Sequence, residues 1–320
     1  MNPVSRYLLL ALFLALPLSL LAGQVWISPF GPPVPNAIPI LLELRLPRAV
    51  LALVLGAGLG AAGAAMQGYL RNPLADPGLF GIAPSAALGA VLSFYAGYAL
   101  QGFLLPVFAL AGAGLAMGML AAIAGRTGGI ALFTLAGMMI ASFAGALTSL
   151  AISLSPNPFA LSEIVIWLMG ALTDRGWHEV WLAAPLTLAG LAILWRSGPS
   201  LDAMTLGHAA ARTLGVHPAR LLWMMIAGVG LIVGSGVAVA GIIGFVGLMV
   251  PHLVRPFTDR RPSSTLLPSA LAGALLLLVA DCLCRVLPLA GGELRLGVAL
   301  SLLGAPFFLQ LLLRMRRELH

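Results

Sequence analysis

Apolar stretches of about 20 residues recur throughout the chain, separated by short connectors that are richer in arginine, proline and polar residues. A helix needs about 20 apolar residues to cross the hydrocarbon layer of a membrane. Only 8% of the residues are charged, against about 25% in soluble domains, and the mean hydropathy is +1.04. A transmembrane barrel would show alternating segments of about 10 residues, and these are absent. The chain is therefore predicted to be an all-α, polytopic membrane protein.

The apolar stretches predict about ten transmembrane helices in a single domain, residues 1–320. The predicted spans are residues 1–23, 45–69, 86–100, 104–124, 130–154, 179–195, one that ends near 237, one that ends near 254, 266–284 and 296–313. Residues 161–172 predict a helix too short to cross. The first stretch could instead be a cleaved signal peptide, because Leu20-Leu21-Ala22 loosely resembles a cleavage site.

The stretch from Gly234 to Pro256 is apolar and repeatedly interrupted by glycine. Glycine in a helix costs about 1 kcal/mol relative to alanine, so these residues must serve close packing or a bent backbone. Both halves of the chain contain a glycine-dense span that runs into a proline, Gly56 to Pro73 and Gly228 to Pro251. In hydrocarbon, a broken helix is tolerated only against other protein or a water-filled cavity. Paired interruptions of this kind indicate a transporter built from two repeats.

All seventeen basic residues are arginine, and the absence of lysine excludes a P-loop of the GxxxxGK[ST] type. If ATP drives transport, another chain must hydrolyse it. The net charge of +7 could suggest nucleic-acid binding, but the arginines are scattered at the ends of the spans. Under the predicted topology twelve arginines lie inside and five outside, which by the positive-inside rule predicts that both termini are cytoplasmic.

Five motifs follow one another in order along nearly the whole chain. They are RLPR (45–48), MQGYLRNPLADPGLFG (66–81), TLGHAAARTLGV (205–216), GIIGFVGLMVPHLVR (241–255) and GELRLGVALSLLGAPFFLQLLL (292–313). Together they resemble the FecCD-type permeases of ABC importers for iron–siderophores, haem and cobalamin. WISP (26–29) resembles the cobalamin branch.

The resemblance implies a permease that forms a homodimer in the bacterial inner membrane, with one translocation path at the two-fold axis. Two cytoplasmic ATPase subunits would hold ATP and magnesium, and a periplasmic binding protein would deliver the cargo. The chain itself would hold no catalytic residue, cofactor or metal. Family breadth favours an iron chelate as cargo, whereas WISP favours cobalamin.

The resemblance also implies functional segments. The positions of Asn72 and Leu74 would close the cytoplasmic side. Residues 202–215 resemble the coupling helix that inserts into the ATPase, and relatives usually have glutamate where His208 stands. Apolar residues and terminal glycines suit a short amphipathic helix there. The predicted coupling residues are Leu206, Gly207, His208, Ala211, Leu214 and Gly215.

Arginines at the predicted outer side are candidates for docking the binding protein, because a guanidinium binds carboxylates bidentately. The resemblance implies this role for Arg45 and Arg285, and Arg48 and Arg295 could add to it. Membrane-interface snorkelling is the alternative for each. Arg285 also follows Asp281 by four residues, so the two could instead form a helical ion pair.

Met66 and Gln67 end a glycine-lined span and are predicted to face the pathway, although core packing explains Met66 equally well. An ion-coupled secondary transporter is the second functional hypothesis; it would need acidic residues near the membrane midplane, and Asp281 and Glu163 are the candidates. An intramembrane enzyme is the third hypothesis, but the sequence contains neither HExxH nor GxSxG.

Overall fold

The computed structural model describes residues 2–27, 35–95, 103–125, 129–155, 158–287 and 292–318. Within these ranges the regular secondary structure is entirely helical, which confirms the predicted all-α class. The predicted loop around Arg126 and the last two residues of WISP lie outside the described residues.

The described residues form thirteen α-helices, some long and some short, which pack as a bundle. They are α1 Pro3–Leu21, α2 Ala37–Pro39, α3 Leu46–Leu70, α4 Ile82–Tyr95, α5 Leu104–Ala124, α6 Ile130–Ser153, α7 Pro158–Leu168, α8 Trp177–Met204, α9 His208–Thr213, α10 Pro218–Ala240, α11 Val246–Val254, α12 Pro262–Val286 and α13 Leu296–Glu318. A π-helical segment, Ile40–Arg45, joins α2 to α3, so that helix runs without a break from Ala37 to Leu70.

Eight helical segments of the described residues are long and apolar enough to cross a membrane, and α4 and α7 are shorter apolar helices. The prediction of about ten spans is therefore approximately right. The prediction and the structure differ most at the predicted eighth span, which ends near Val254. That segment is the nine-residue helix α11, which at 1.5 Å per residue is about 14 Å long and cannot cross alone.

The centre of the bundle is built on glycine contacts between α3 and α12. A Cβ atom on Gly56 would lie 2.3 Å from the carbonyl oxygen of Gly273, and one on Gly60 would lie 2.1 Å from that of Ser269. Both distances are far below van der Waals contact, so only glycine fits. Small residues let helix backbones approach closely in membranes, and this is the packing that the glycine-dense span predicted.

The predicted break in the glycine-rich helix is present. Helix α10 ends at Ala240, Gly241 follows with a φ of 71°, and α11 begins after Phe245, whose φ is 66°. A Cβ atom on Gly63 would lie 1.9 Å from the carbonyl oxygen of Gly247, so the start of α11 rests directly on α3. The break thus replaces a continuous span by an irregular segment held against other protein.

The connectors divide between two ends of the bundle. The lower end is defined by residues 71–81, 205–217 and 255–261, and the upper end by residues 22–27, 45–48, 168–176 and 292–295. Asn2 donates a hydrogen bond to the carbonyl of Phe257 at 3.3 Å, which places the start of α1 at the lower end. Three of the connectors predicted to be cytoplasmic, residues 71–81, 205–217 and 255–261, thus lie at one end. Which end faces the cytoplasm stays a prediction.

Candidate translocation site

A cavity of about 400 Å³ lies where α3 and α10 meet the irregular segment between α10 and α11. Its wall is almost wholly apolar and includes Leu55 and Leu59 of α3, Val233 and Val237 of α10, and residues 241–245. Gly236 and Gly241 carry no side chain and widen the space. The glycine-broken segment that the sequence singled out therefore forms one side of a cavity.

The connector from α3 to α4 (residues 71–81, here called the gate loop) closes another side of the cavity. The side chain of Asn72 accepts a hydrogen bond from the backbone N–H of Leu74 at 3.0 Å, and the carbonyl of Asn72 accepts one from Ala75 at 3.1 Å. This turn directs Leu74 into the cavity wall, whereas Asn72 is exposed outside it. Of the two predicted gate residues, Leu74 alone lines the cavity.

Asp76 is an acidic residue in the cavity wall that the sequence reasoning did not single out. Its carboxylate accepts hydrogen bonds from the backbone N–H of Gly78, at 2.7 Å, and from that of Leu248 in the first turn of α11. Burial raises the pKa of this carboxyl, although both hydrogen bonds act in the opposite direction. The Asp-Pro-Gly sequence is a recognisable turn and helix-start signal that could have identified it.

Met66 and Gln67 lie in packed interfaces and do not line the cavity. The amide nitrogen of Gln67 donates to the carbonyls of Gly247 and Leu248 at 3.3 and 3.2 Å. Its amide oxygen accepts from Nη2 of Arg255 at 2.9 Å. Gln67 thus ties α3 to both ends of α11, and the buried Met66 packs in the core, so these placements do not support the predicted pathway role.

The predicted coupling segment forms a helix shorter than expected. Residues 202–204 belong to the last turn of α8, and the separate helix α9 comprises the six residues His208–Thr213. Gly215 has a φ of 83°, and the N–H groups of Gly215 and Val216 bond to the carbonyls of Arg212 and Ala211. This pair of hydrogen bonds forms a Schellman motif, in which glycine supplies the left-handed residue that ends a helix.

Two apolar side chains flank α9 on its exposed side. Leu206 is 67% exposed and Leu214 is 63% exposed, whereas Ala211 is buried against the bundle. Gly207 has a φ of 99°, which lets the chain turn sharply from α8 into α9. The side chain of His208 lies outside the described part of the chain. The predicted segment thus presents leucines at the tip of the lower end.

At the upper end, Arg48 and Asp281 form a buried ion pair between α3 and α12. Nε of Arg48 donates to both carboxylate oxygens of Asp281 at 3.0 and 3.1 Å, and Nη2 lies 2.9 Å from Oδ1. Nη2 also lies 2.8 Å from Oε2 of Glu293, which accepts from Thr173 at 3.0 Å. Burial would raise the pKa of Glu293, but the hydrogen bond and charge of Arg48 bring it below its ordinary value.

Arg285 completes this network, since its Nε lies 3.2 Å from Oδ2 of Asp281. The alternative of an ion pair within α12 is therefore confirmed. Nη2 of Arg285 also donates to the carbonyl of Ser19 at 3.2 Å. Arg48, Asp281, Arg285 and Glu293 together carry two positive and two negative charges, so the network is formally neutral.

Arg45 fastens α1 to the bundle by donating to the carbonyls of Leu20 and Leu21 at 2.8 and 2.9 Å and of Val25 at 2.6 Å. Leu20 and Leu21 lie in the last turn of α1, where helix carbonyls lack intrahelical partners, and Val25 follows the helix. Arg295 is half-buried at the start of α13. Arg45, Arg48 and Arg285 are thus engaged within the chain, and docking through any of the four arginines stays a prediction.

Comparisons with known proteins extend over nearly the whole chain. The sequence model of the FecCD transport family matches residues 8–314. The chain belongs to the FecCD transport family. It is 39% identical to the ABC transporter permease protein YvrB of Bacillus subtilis over 317 residues, 95% of this chain and 88% of YvrB. It is 39% identical to the vitamin B12 import system permease protein BtuC of Escherichia coli O9:H4 (strain HS), over 96% of this chain and 93% of BtuC.

The fold is shared with solved structures. A metal-chelate type ABC transporter in an inward-facing conformation matches with a TM-score of 0.89 at 30% identity, over 97% of this chain and 99% of that one. PsaBC from Streptococcus pneumoniae matches with a TM-score of 0.54 at 18% identity, which shows a likeness of fold alone. The FecCD-family chain is therefore an ABC importer permease and a multi-pass membrane protein.

An ion-coupled secondary transporter is not favoured. Asp281, its main candidate, is fully buried and its carboxylate is already bound by two arginines. Glu163, the other candidate, is exposed on the short helix α7.

Proposed function

We propose that this permease carries a metal chelate of the cobalamin, haem or iron–siderophore class across the bacterial inner membrane. The observation that supports this most is the apolar cavity closed by Leu74 on one side and by the broken helix on the other. A wall that offers few polar groups gives a bulky chelate little to bind, so the chelate could pass without being trapped. The similarity to BtuC, a vitamin B12 import permease, favours cobalamin.

The working unit is a homodimer whose path lies between the two copies. Helix α6 is one helix that could form the contact, because only 28% of its most apolar 18 residues are buried within one chain, the same share as in α13, although α1 is buried less, at 11%. The exposed face of α6 includes Leu135, Met138, Met139 and Phe143, large apolar side chains that a second copy or lipid would cover. A path at such an interface would let each copy contribute one cavity and one gate loop.

Two ATPase subunits bind at the lower end, which faces the cytoplasm together with both termini. They hold ATP and magnesium and perform the hydrolysis, so the permease itself is not an enzyme. The exposed leucines beside α9, Leu206 and Leu214, give these subunits an apolar contact on a helix of only six residues. Nucleotide-driven movement of the ATPases would shift α9 and change which side of the membrane the cavity faces.

A periplasmic binding protein delivers the chelate at the upper end. Arg295, which directly precedes α13, is half-buried, and among the described residues its side chain forms no hydrogen bond or ion pair. Arg45 and Arg48 could contact the binding protein only after exchanging their present partners. This requirement makes Arg295 the first arginine to test.

Reconstitution tests the proposal. The permease is purified with its ATPase, placed in liposomes with the binding protein, and supplied with radiolabelled cyanocobalamin or, in parallel, a ferric siderophore. We expect uptake that requires ATP hydrolysis and that persists when proton and sodium gradients are collapsed. Uptake by the permease without any ATPase, or uptake abolished by ionophores alone, would contradict the proposal.

A further inference from the structure

Asp202 lies in the last turn of α8, two residues before the helix ends at Met204. The carbonyl groups at a helix C-terminus carry partial negative charge, so an acidic side chain is unfavourable there. That turn contains no basic residue that could offset the acid. A partner outside α8 would therefore stabilise Asp202 at this position.

The partner is Ser263, in the first turn of α12. Oδ1 of Asp202 accepts from the backbone N–H of Ser263 at 2.8 Å, and Oδ2 accepts from its hydroxyl at 2.5 Å. The first N–H groups of a helix have no partners within the helix, and a carboxylate there also interacts favourably with the helix dipole. A residue of α8 thus performs the capping that α12 would otherwise take from its own connector.

This contact joins the coupling segment to the centre of the bundle. Asp202 precedes Leu206 by four residues, and α9 packs against α8. On the other side, Pro262 of α12 lies against the end of α3, where a Cβ atom on Gly68 would come within 2.8 Å of the proline Cβ. Two residues beyond Gly68, α3 ends and the gate loop begins.

The same junction is packed on its α8 side. A Cβ atom on Gly198 would lie 3.2 Å from Cβ of Ser263, so the backbone of α8 touches the start of α12 one turn before Asp202. Interfaces packed this closely shift between discrete arrangements and do not deform continuously. A displacement of the end of α8 must therefore move the start of α12 or break this contact.

We propose that Asp202 is a positioning residue that passes movement of the coupling segment to α12 and, through the end of α3, to the gate loop. This inference rests on the proposed function, because it assigns a part of the nucleotide-driven movement to one carboxylate. Without Asp202, the ATPases would still bind α9 and hydrolyse ATP, but the resulting movement of α9 would displace the gate loop less.

Asp259 provides a matched control at the same helix N-terminus. It accepts from the backbone N–H of Arg261 at 3.4 Å and from the hydroxyl of Ser264. Its bonds hold the turn that leads into α12, which begins at Pro262, and they do not involve α8. Loss of local order at the start of α12 would therefore affect Asp259→Ala and Asp202→Ala alike, whereas loss of transmission would affect only Asp202→Ala.

The test uses the complete importer in liposomes and measures radiolabelled cyanocobalamin or ferric siderophore uptake per ATP hydrolysed, with whichever probe the wild type carries. We expect Asp202→Ala to lower this ratio about fivefold or more, the size of a typical coupling between sites, while hydrolysis continues. Asp259→Ala should stay near the wild-type ratio. Asp202→Asn should do so too, because its amide oxygen can accept the Ser263 N–H and its amide nitrogen can donate to the Ser263 hydroxyl.

Other outcomes would overturn the inference. An unchanged ratio in Asp202→Ala, or an equal fall in Asp259→Ala, would reduce Asp202 to a helix cap. If Asp202→Ala does not assemble, the deciding variant is Ser263→Ala, which removes only the hydrogen bond from the hydroxyl. A wild-type ratio of uptake to hydrolysis in Ser263→Ala would contradict the proposal. A wild-type importer without ATP-dependent uptake of either probe would refute the proposed function itself, together with this inference.

Discussion

Arg48 and Asp281 lie 233 residues apart in the chain and form a bidentate ion pair that fastens α3 to α12. Both side chains are buried, and Asp281 is wholly inaccessible to solvent. In the interior, an ion pair contributes little beyond what well-packed apolar residues would give, but an unpaired member is costly. The pair therefore predicts different effects for single and double substitutions.

Replacing Asp281 by leucine should destabilise the protein by about 3–5 kcal/mol, because Arg48 and Arg285 would lose a shared counter-ion within the bundle. The double variant Arg48→Met with Asp281→Leu should recover part of this loss. Unfolding in mixed micelles with a denaturing detergent measures both. The exposed Glu163→Gln is the matched control, and equal destabilisation by the single and double variants would contradict the expectation.

Glu293 should make the stability depend on pH. Arg48 lowers its pKa in the folded protein, so its contribution is complete above the unfolded-state value and is lost as the pH falls through the lower folded-state value. The stability difference between the wild type and Glu293→Gln should therefore shrink below about pH 4, near the ordinary pKa of glutamate. Unfolding measured at a series of pH values checks this, and a difference that grows towards acid would be the opposite of the expected sign.

Gly63→Ala should destabilise the protein by about 1–3 kcal/mol, because the added Cβ atom would overlap the backbone of Gly247 and force α11 away from α3. Gly118→Ala is the control, because it also replaces a glycine within a helix and the added Cβ atom would have no neighbour within 4 Å. The midpoint temperature of thermal unfolding in detergent should fall for Gly63→Ala. For Gly118→Ala it should rise or stay at the wild-type value. Tolerance of Gly63→Ala would show that α11 is less tightly held than the structure indicates.

Leu74 should be reachable from the cavity, whereas Met66 should not. In a variant with Cys282 and Cys284 replaced by serine, Leu74→Cys should react with a water-soluble maleimide in at least one nucleotide state of the importer. Met66→Cys should stay unreactive in all states, because Met66 is buried in the core. Labelling yields with and without ATP measure this, and equal labelling of both positions would remove Leu74 as a gate residue.

Leu214→Asp should weaken binding of the ATPase, because it places a charge on an exposed apolar contact beside α9. Because the Leu214 side chain is largely exposed, insertion and unfolding should stay near wild type. Copurification of the ATPase and uptake per ATP hydrolysed measure the effect. Thr213→Asp, on the last residue of α9, is the neighbouring control, and unchanged assembly in Leu214→Asp would exclude the apolar contact.

Local features allowed much of the fold to be predicted. Span length depends on membrane thickness, so runs of apolar residues identify most helices directly. The break before α11 was predictable because glycine weakens a helix wherever it clusters, and Gly215 was predictable as a helix end for the same reason. The length of α11 was not, because an apolar run does not reveal that it is shared between an irregular segment and a short helix.

The candidate site was predictable only in part. Leu74 lines the cavity, although its predicted role as a gate stays a prediction, whereas Asp76 was missed and Gln67, which was assigned to the pathway, binds Arg255. A polar residue in an apolar span indicates that a partner exists, yet its identity depends on which helices meet. Gln67 finds Arg255 and the carbonyls of α11, and no pattern within residues 45–69 specifies them.

The sequence by itself determined the membrane class, the positions of most helices and the resemblance to the FecCD family, because each follows from residue types within one stretch or within several stretches taken in order. Only the tertiary structure decided which charges are free and which are paired. Asp281 was open to pairing with Arg285 alone, or to ion binding, until the packing of α3 on α12 brought Arg48 against it. Interactions between side chains act over a few ångströms, so they are set by the helix packing that joins distant parts of the chain.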